Sequence, residues 1–229
     1  MNELAILHVD NHVLCVAKPA GVAVVPDESG DENLLELARA WLKREFGKPG
    51  DVFLGVVHRL DRPVSGVVLF ARTSKAASRL SEQFRTRSAH KTYFGVAQNA
   101  PREDQGVVEQ WLLKDAETNR VRVVGEGIPG AQLARTSWRV VARESGSVQL
   151  DLIAHTGRPH QLRVAMASLG CPLLGDLKYG AERPLPDKSI ALHAGELEVE
   201  HPTLHTPLVV RCAPPQRDWW KFRARAGEA

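Results

Sequence analysis

The feature that most constrains the fold is a polar stretch of ten residues, 57–66, flanked by two apolar runs. The runs cover residues 52–57 and 67–70, and both are rich in β-branched residues. Short apolar runs bounded by turn-forming residues are typical of buried β-strands. The pattern therefore predicts two sheet strands joined by a polar loop.

The predicted loop contains a lone carboxylate, Asp61, in a setting that favours a rigid backbone. Pro63 fixes one φ angle, and Gly66 permits a positive one. A rigid loop on a sheet can hold a carboxylate where a substrate reaches it. Asp and Ser are also ordinary turn residues, so the spacing alone leaves open whether Asp61 and Ser65 are functional or merely cap the turn.

Length and composition exclude several classes of protein. The 229 residues, 43% of them hydrophobic, fit one large domain or two small ones with a proper core. No apolar run approaches the roughly 18 residues of a membrane span, and the N-terminus lacks the features of a signal peptide. The three cysteines are scattered and the nine histidines show no zinc-binding spacing. We therefore expect a protein of a reducing compartment, the cytoplasm, without a disulfide framework or a metal site.

The net charge is only +3, but one window of the chain is strongly basic. This window has a local charge of +5, because a single acid, Glu82, accompanies the cations Arg72, Lys75, Arg79, Arg85, Arg87 and Lys91. Such a charge is suited to a polyanionic partner. A solvated helix face is the alternative explanation.

Hydrophobic periodicity predicts the remaining elements. A helix is expected over 34–46, and a second helix should be capped by Ser74. Tyr93 is expected on the strand face opposite the apolar set, and residues 101–134 suggest peripheral hairpins and a loop. The tail from Trp219 onward is expected to fray. Strand patterns occur at 4–16 as a pair, 90–97, 136–141, 148–154, 190–200 and 207–212.

The segment 155–170 is the second informative stretch. Pro159 suits the first turn of a helix, and Gly170 suits its end. Arg158 and Arg163 near the helix start oppose the helix dipole there. A local anion, either a carboxylate or a phosphate, would explain such cations, and a solvated arginine is the alternative.

Set side by side, these stretches resemble the RluA-type family of RNA pseudouridine synthases. Six motifs in the family's order, spanning about residues 4–211, argue strongly against chance agreement. The family usually has Thr at the position of Val64, so this chain keeps the β-branched shape but lacks a hydroxyl. The motifs are Lys18-Pro19-Ala20-Gly21, His58-Arg59-Leu60-Asp61 with Ser65-Gly66, Lys91-Thr92-Tyr93, the run from His155-Thr156-Gly157-Arg158 to His160-Gln161-Leu162-Arg163, Gly175-Asp176-x-x-Tyr179-Gly180, and Leu192-His193-Ala194.

The resemblance implies an α+β pseudouridine synthase fold. We expect a mixed, mostly antiparallel sheet that is flanked by helices and has a central catalytic cleft. The implied organisation is one catalytic domain over 1–229 with its core at about 4–211. Many relatives carry a small N-terminal RNA-binding domain, and we expect none here, as in the compact subgroup of RluA and TruC-like enzymes.

The resemblance also implies roles for individual residues. Asp61 would be the catalytic carboxylate, which attacks C1′ or removes a 2′ proton to give a glycal. Arg163 would be its partner, since a nearby cation favours the charged form of a buried carboxylate. Tyr93 would stack on the uracil and assist removal of the C5 proton. The residues expected to bind substrate are His58, Arg59, Lys91, Arg158 and Leu162, with Arg59 engaging the gap left by the flipped nucleotide and Leu162 forming an apolar wall.

The implied reaction is an isomerisation that breaks the uracil N1–C1′ bond and joins C5 to C1′. It needs no cofactor or metal, and the implied partner is RNA, either tRNA or large-subunit rRNA, bound by a monomer. Two alternatives stay open. One is an RNA-binding protein on the same scaffold without catalysis. The other is a hydrolase that uses Asp61 with His58 or His160 and Ser65, although no Gly-x-Ser-x-Gly elbow supports it.

Overall fold

A computed structural model describes residues 4–144 and 146–220. These residues contain one 11-stranded sheet, three α-helices and a 3-10 turn at Leu177–Tyr179. The helices are α1 (Leu34–Glu45), α2 (Ser74–Thr86) and α3 (Gln161–Ser168). The strands are β1 (Ile6–Val9), β2 (Val13–Lys18), β3 (Gly55–Val56), β4 (Ser65–Ala71), β5 (His90–Ala97), β6 (Gln105–Asp115), β7 (Arg120–Val124), β8 (Gln132–Glu144), β9 (Ser147–Ala154), β10 (Leu192–Glu200) and β11 (Pro207–Arg211).

The sheet is mixed and mostly antiparallel, as predicted. Its strand order is β1-β2-β4-β10-β5-β9-β8-β6-β7, while β11 pairs with β10 and β3 pairs with β4. The pairing of β4 with β10 is parallel, and Ser65 and Gly66 lie opposite His193 and Ala194. Three strands that carry sequence motifs, β4, β10 and β5, are therefore neighbours at the centre of the sheet.

Both faces of the central strands are covered. In β4, Val68 and Phe70 pack into the core that contains α1 and α3, whereas Val67 and Leu69 pack into the core that contains α2. Successive side chains of a strand point to opposite faces, so a strand covered on both sides reads as an unbroken apolar run. This explains the sequence pattern of β4, all seven residues of which are buried.

The helix starts differ slightly from the predictions. The cap of α2 is Thr73, whose side chain accepts a hydrogen bond of 3.1 Å from the Ala76 backbone N–H, so Ser74 is already helical. The predicted cap at Ser74 is therefore wrong by one residue. Pro159 lies outside α3, because His160 interrupts the chain with a positive φ of 51° just before the helix begins at Gln161.

The strand predictions have mixed outcomes. The strand before the polar loop is only the two residues of β3, and Ser65 and Gly66 already belong to β4. The hairpins and loop predicted for residues 101–134 are present, because β6 and β7 form a hairpin at the edge of the sheet and a loop leads to β8. Tyr93 lies on the strand face opposite Phe94 and Val96, as predicted, but its own face is buried too, in the core that contains α1 and α3, which we call the larger core.

The described residues include no helix that is long and apolar enough to cross a membrane. Most of the tail that we expected to fray, residues 221–229, lies outside the described residues.

Candidate active site

A turn just before β4 presents Asp61. The Val64 backbone N–H donates a hydrogen bond of 3.0 Å to the Asp61 carbonyl and closes the turn around Pro63. The Val64 side chain is 2% exposed and belongs to the larger core. A hydroxyl at this position would have to be hydrogen-bonded in the core, so the departure from Thr is compatible with the packing seen here.

Gly66 follows the loop at a point where β4 and β10 approach closely. It adopts a φ of +125°, and a Cβ atom built there would lie 2.5 Å from the Ala194 nitrogen and closer still to the Ala194 oxygen. Only glycine fits this combination of backbone angle and contact. The loop that carries Asp61 is thereby seated directly on the centre of the sheet.

A buried lysine holds the other side of the loop. Lys18 is 2% exposed, and its Nζ donates hydrogen bonds to the carbonyl oxygens of Pro19 (2.9 Å), Val22 (2.7 Å) and Arg62 (3.0 Å). Burial lowers the pKa of Lys18 to about 7, although the Asp61 carboxylate opposes this shift. The lysine joins the segment after β2 to the residue that follows Asp61.

Arg163 of α3 contacts two carboxylates at once. Its Nη1 donates to Asp61 Oδ2 at 3.0 Å, while Nε and Nη2 each donate to Asp176 at 2.8 Å. The side chains of Arg163 and Asp176 are 6% and 1% exposed, whereas that of Asp61 is 30% exposed. Asp176 therefore orients a buried guanidinium, and Asp61 is the carboxylate that a substrate can reach.

His160 and Tyr179 lie beside this ion pair. His160 Nε2 is 3.9 Å from Asp61 Oδ2, and its Nδ1 is 2.6 Å from the Tyr179 hydroxyl. The guanidinium of Arg163 lies 5.0 Å from the centre of the Tyr179 ring. Burial lowers the pKa of His160, so the imidazole is neutral around pH 7.

Tyr93 faces the same site from β5, where it pairs with Leu152 and Ala194 on the neighbouring strands. It is 8% exposed, and burial together with the Asp61 carboxylate raises its pKa. The hydroxyl has no hydrogen-bond partner among the described residues. It is not sealed from solvent, because Trp219 Nε1 is the one side-chain polar atom of those residues that is both buried and unpartnered.

Two other predicted site residues differ in their exposure. Leu162, which directly precedes Arg163 on α3, is buried in the larger core that also contains Leu60. Arg59 is exposed and has no ion pair or hydrogen bond in the described part of the chain. Its position two residues before Asp61 leaves it available to a partner molecule.

The remaining predicted residues lie against the protein itself. His58 Nε2 accepts a hydrogen bond of 2.9 Å from the Leu69 N–H, and its ring stacks on Phe84 at 4.7 Å. Burial lowers the pKa of His58 to about 3, so this ring is a neutral support of the loop. Lys91 Nζ lies 5.9 Å from the same Phe84 ring, and Arg158 Nε donates to the Leu133 carbonyl at 3.1 Å.

The basic window is partly used within the fold. Arg72 donates to the Asp10 carbonyl, Arg79 donates to the Pro202 carbonyl, and Arg85 pairs with Glu82 at 2.5 Å. The other three cations of the window are Lys75, Arg87 and Lys91. None of them has an ion pair among the described residues.

The hydrolase arrangement is not assembled. Ser65 Oγ is 2.8 Å from His193 Nδ1, and His193 Nε2 is 2.9 Å from the Cys212 carbonyl. A carbonyl only accepts, so Nε2 carries the proton and Ser65 donates to Nδ1. Ser65 therefore contacts neither His58 nor His160, and the predicted alternative of a hydrolase is wrong. No three His, Cys, Asp or Glu side chains within 4–144 and 146–220 are grouped as a metal site.

Sequence reasoning assigned no role to Asp176 or Tyr179, and it considered His160 only in the hydrolase alternative. All three occur in motifs that carried the family resemblance, namely Gly175-Asp176-x-x-Tyr179-Gly180 and the run ending at Arg163. The motifs indicated that these residues belong to the family pattern. Their contacts with Arg163 and Asp61 required the fold.

Comparisons with known proteins identify the family of this chain. The model of the RNA pseudouridylate synthase family matches residues 12–168. The chain is 36% identical to "Uncharacterized RNA pseudouridine synthase YhcT" of Bacillus subtilis, over 93% of this chain and 68% of that protein. It is 32% identical to "Dual-specificity RNA pseudouridine synthase RluA" of Yersinia pestis, over 91% of this chain and 98% of that protein.

A solved structure supports the same assignment. "Human RNA Pseudouridylate Synthase Domain Containing 4" superimposes with a TM-score of 0.77 at 26% identity, covering 93% of this chain and 89% of that one. The expected fold and the resemblance to RluA-type enzymes, which are isomerases, are thus confirmed. The chain belongs to the RNA pseudouridylate synthase family.

Proposed function

We propose that this pseudouridine synthase acts on uridines of structured RNA, in tRNA, large-subunit rRNA or both, with Asp61 as its catalytic carboxylate. The observation that carries the proposal is the contrast between the two carboxylates on Arg163. Asp176 is buried and bidentate, whereas Asp61 is accessible and held through Oδ2 alone. Such an arrangement suits a group that must react with a bound molecule.

The contacts of Asp61 support a role for its second oxygen. Oδ1 has no partner among the described residues, while Arg163 stabilises the negative charge through Oδ2. The carboxylate Oδ1 can attack C1′ as the N1–C1′ bond breaks, and this new bond breaks when C5 joins C1′; alternatively, it can take the 2′ proton and return it when C5 joins C1′. In either route the uracil turns, C5 loses its proton and N1 gains one, so the product is an isomer of the substrate.

The environment of Tyr93 favours one role over another. A phenol is protonated at neutral pH, and burial together with the Asp61 carboxylate raises the pKa of Tyr93 further, so the side chain is a poor general base. A protonated phenol can instead stack on the flipped uracil and donate a hydrogen bond. We therefore assign Tyr93 to holding the base beside Asp61, together with the apolar wall at Leu162.

Recognition of RNA requires a nucleotide to leave its stack. Flipping costs a few kcal/mol, which protein contacts must offset. Arg59 is the best placed cation for this purpose, because it is exposed, unpaired among the described residues and next to the Asp61 turn. The relative named "Dual-specificity" makes more than one target RNA a reasonable expectation for this chain.

The rival of a non-catalytic RNA-binding protein has no specific support. Such a protein would not need a buried arginine divided between two carboxylates, and desolvating those charges carries a free-energy cost. We also expect a monomer that works in the cytoplasm without a metal or cofactor. Light scattering and elemental analysis of the purified active protein would test the first and last of these expectations.

The decisive assay is tritium release from RNA labelled at uridine C5. Unmodified tRNA and large-subunit rRNA should be tested separately, with the Asp61→Asn variant and a control, Asp51→Asn, at an exposed position without an ion pair or hydrogen bond among the described residues. Release by the wild type and the control, and none by Asp61→Asn, is expected. Equal release by Asp61→Asn would refute the catalytic role, and no release from either pool with RNA binding intact would favour the non-catalytic alternative.

A further inference from the structure

A chain of polar contacts leads from a backbone amide to the catalytic carboxylate. The Val121 N–H donates to the Tyr179 hydroxyl oxygen at 2.8 Å. That hydroxyl is 2.6 Å from His160 Nδ1, and His160 Nε2 faces Asp61 Oδ2 at 3.9 Å. The function proposed above uses Asp61 and Arg163 but leaves these three groups unexplained.

The protons along this chain can be assigned. A backbone N–H only donates, so the Tyr179 oxygen must accept from Val121. The phenolic proton has no other acceptor among the described residues and therefore points to His160 Nδ1. A neutral imidazole with a bare Nδ1 carries its proton on Nε2. The Nε2–H group is the one that faces Asp61.

The surroundings keep this imidazole neutral and fixed. Arg163 and Lys178 disfavour a second proton, Asp61 and Asp176 favour it, and burial decides in favour of the neutral ring. The side chain is 9% exposed, and its ring meets Tyr179 edge-on at 5.7 Å. The backbone of His160 has a φ of 51°, a conformation that non-glycine residues adopt uncommonly and that functional sites often contain.

We propose that His160 is a positioning residue for Asp61. Its Nε2–H and the Nη1–H of Arg163 both act on Oδ2, which turns the free Oδ1 toward the ribose. The present separation exceeds a hydrogen bond, and contacts of this kind tighten when substrate binds. Tyr179 serves to fix the tautomer of His160. This inference rests on the function proposed above. It adds that Oδ1 is the Asp61 oxygen that reacts, and that the His160 Nε2–H group orients the carboxylate for this purpose.

The tautomer can be tested without any activity measurement. In protein labelled with 15N at histidine, with His160→Gln used to assign the signal, Nδ1 should show the shift of an unprotonated nitrogen and Nε2 that of a protonated one at pH 7. In Tyr179→Phe the ring packing remains but the fixed tautomer should become a mixture. A protonated Nδ1 in the wild type, or a charged ring, would overturn the proposal even if the protein proved inactive.

The positioning role is tested by a pair of variants at one site. His160→Gln can place an amide N–H near the position of Nε2, whereas His160→Met fills similar space without a donor, and the positive φ at this position disfavours both side chains to a similar degree. A lost hydrogen bond to a charged group corresponds to about a 10- to 100-fold slower single-turnover rate. We expect that loss for His160→Met, about threefold or less for His160→Gln, and unchanged Kd for RNA in both.

The outcomes of this pair are distinct. Equal losses in both variants would show that shape and not the N–H donor matters, and full activity of His160→Met would remove any role. A parallel loss of RNA affinity would also contradict positioning. If both variants fail to fold, the rate of Tyr179→Phe decides, because it should fall with RNA affinity unchanged. Absence of tritium release by the wild type would refute the proposed function, while the 15N shifts would still report on His160.

Discussion

Arg163 donates a hydrogen bond of 3.0 Å from Nη1 to Oδ2 of Asp61, so a buried cation meets a carboxylate that is still 30% exposed. The pair joins α3 to a loop 102 residues earlier in the chain. The rest of the guanidinium is occupied by Asp176, which is 1% exposed. The two carboxylates should therefore respond differently to the same isosteric change.

Replacing Asp61 by Asn should abolish turnover and change stability little. The substitution keeps the shape of the side chain but removes the charge that, in the proposed function, attacks C1′ or accepts a proton. An ion pair with one accessible partner contributes about 1 kcal/mol or less to folding. Urea unfolding and single-turnover tritium release on the same preparation would check both parts, and retained turnover would contradict the assignment.

Replacing Asp176 by Asn should instead destabilise the fold by about 3 kcal/mol. Removing one partner of a buried ion pair leaves an uncompensated charge, which typically costs about 3–5 kcal/mol of folding free energy. We expect the low end of this range, because Arg163 would still pair with Asp61. Asp187→Asn is the matched control, because Asp187 pairs with Arg217 at a more exposed site. A urea midpoint for Asp176→Asn equal to that of the control would argue against the orienting role of Asp176.

Gly66→Ala should disturb the contact between β4 and β10 that supports the Asp61 loop. The added methyl group would overlap the backbone of Ala194, and the positive φ adds strain, so we expect a loss of at least about 3 kcal/mol in the free energy of unfolding. Gly170→Ala is the control, since Gly170 has a φ of +73° but nothing within 4 Å of a built Cβ. It should lose only about 1–2 kcal/mol. Equal losses would mean that backbone angle alone matters.

How far the sequence predicts this molecule depends on how each element is buried. β4 and α2 were predictable because their patterns are strong, with β4 covered on both faces. β6 is half-exposed and has one buried residue, Leu112, so the sequence predicted hairpins in this region but not the length of the strand. The face of β5 that carries Tyr93 was not expected to be buried, because its other members, Lys91 and Gly95, gave no apolar signal.

In the site, too, residues within a recognisable motif were predictable, whereas the contacts between distant residues were not. The loop singled out Asp61 but left open whether it only caps the turn, and the family resemblance supplied its expected role. Arg163 followed from the resemblance together with its unfavourable place at a helix start. The partners Asp176 and Tyr179 lie 13 and 16 residues beyond Arg163 and reach it only through the turn after α3. No local pattern identifies which carboxylate is buried, since that depends on packing from distant strands.

Arg59→Ala should weaken RNA binding without affecting the fold. The side chain is exposed and has no ion pair or hydrogen bond within residues 4–144 and 146–220, so its removal leaves nothing unsatisfied. If Arg59 contacts a phosphate, the slope of log K against log salt should decrease by about one. Arg44→Ala, at an exposed position on α1, is the control. A salt slope and single-turnover rate that match those of the control would exclude Arg59 from recognition.

Stability should fall in mild acid because of His193. Its ring is 1% exposed between Ser65 and the Cys212 carbonyl, and burial lowers its pKa to about 4. An unfolded histidine takes up a proton below about pH 6.5, so between that pH and about 4 the unfolded chain binds a proton that the native state does not. Lowering the pH through this window therefore favours unfolding, by up to about 3 kcal/mol from this residue.

His193→Gln isolates that contribution. Glutamine can accept from Ser65 and donate to Cys212 but does not titrate, and the other acid-sensitive groups, including His58, are the same in both proteins. The stability advantage of the wild type over His193→Gln should shrink by about 3 kcal/mol between pH 7 and pH 4 in urea unfolding. Parallel curves of stability against pH for the two proteins would show that His193 is protonated in the folded state as readily as in the unfolded chain. That result would contradict our interpretation of His193 as a neutral ring that links Ser65 of β4 to the Cys212 carbonyl after β11.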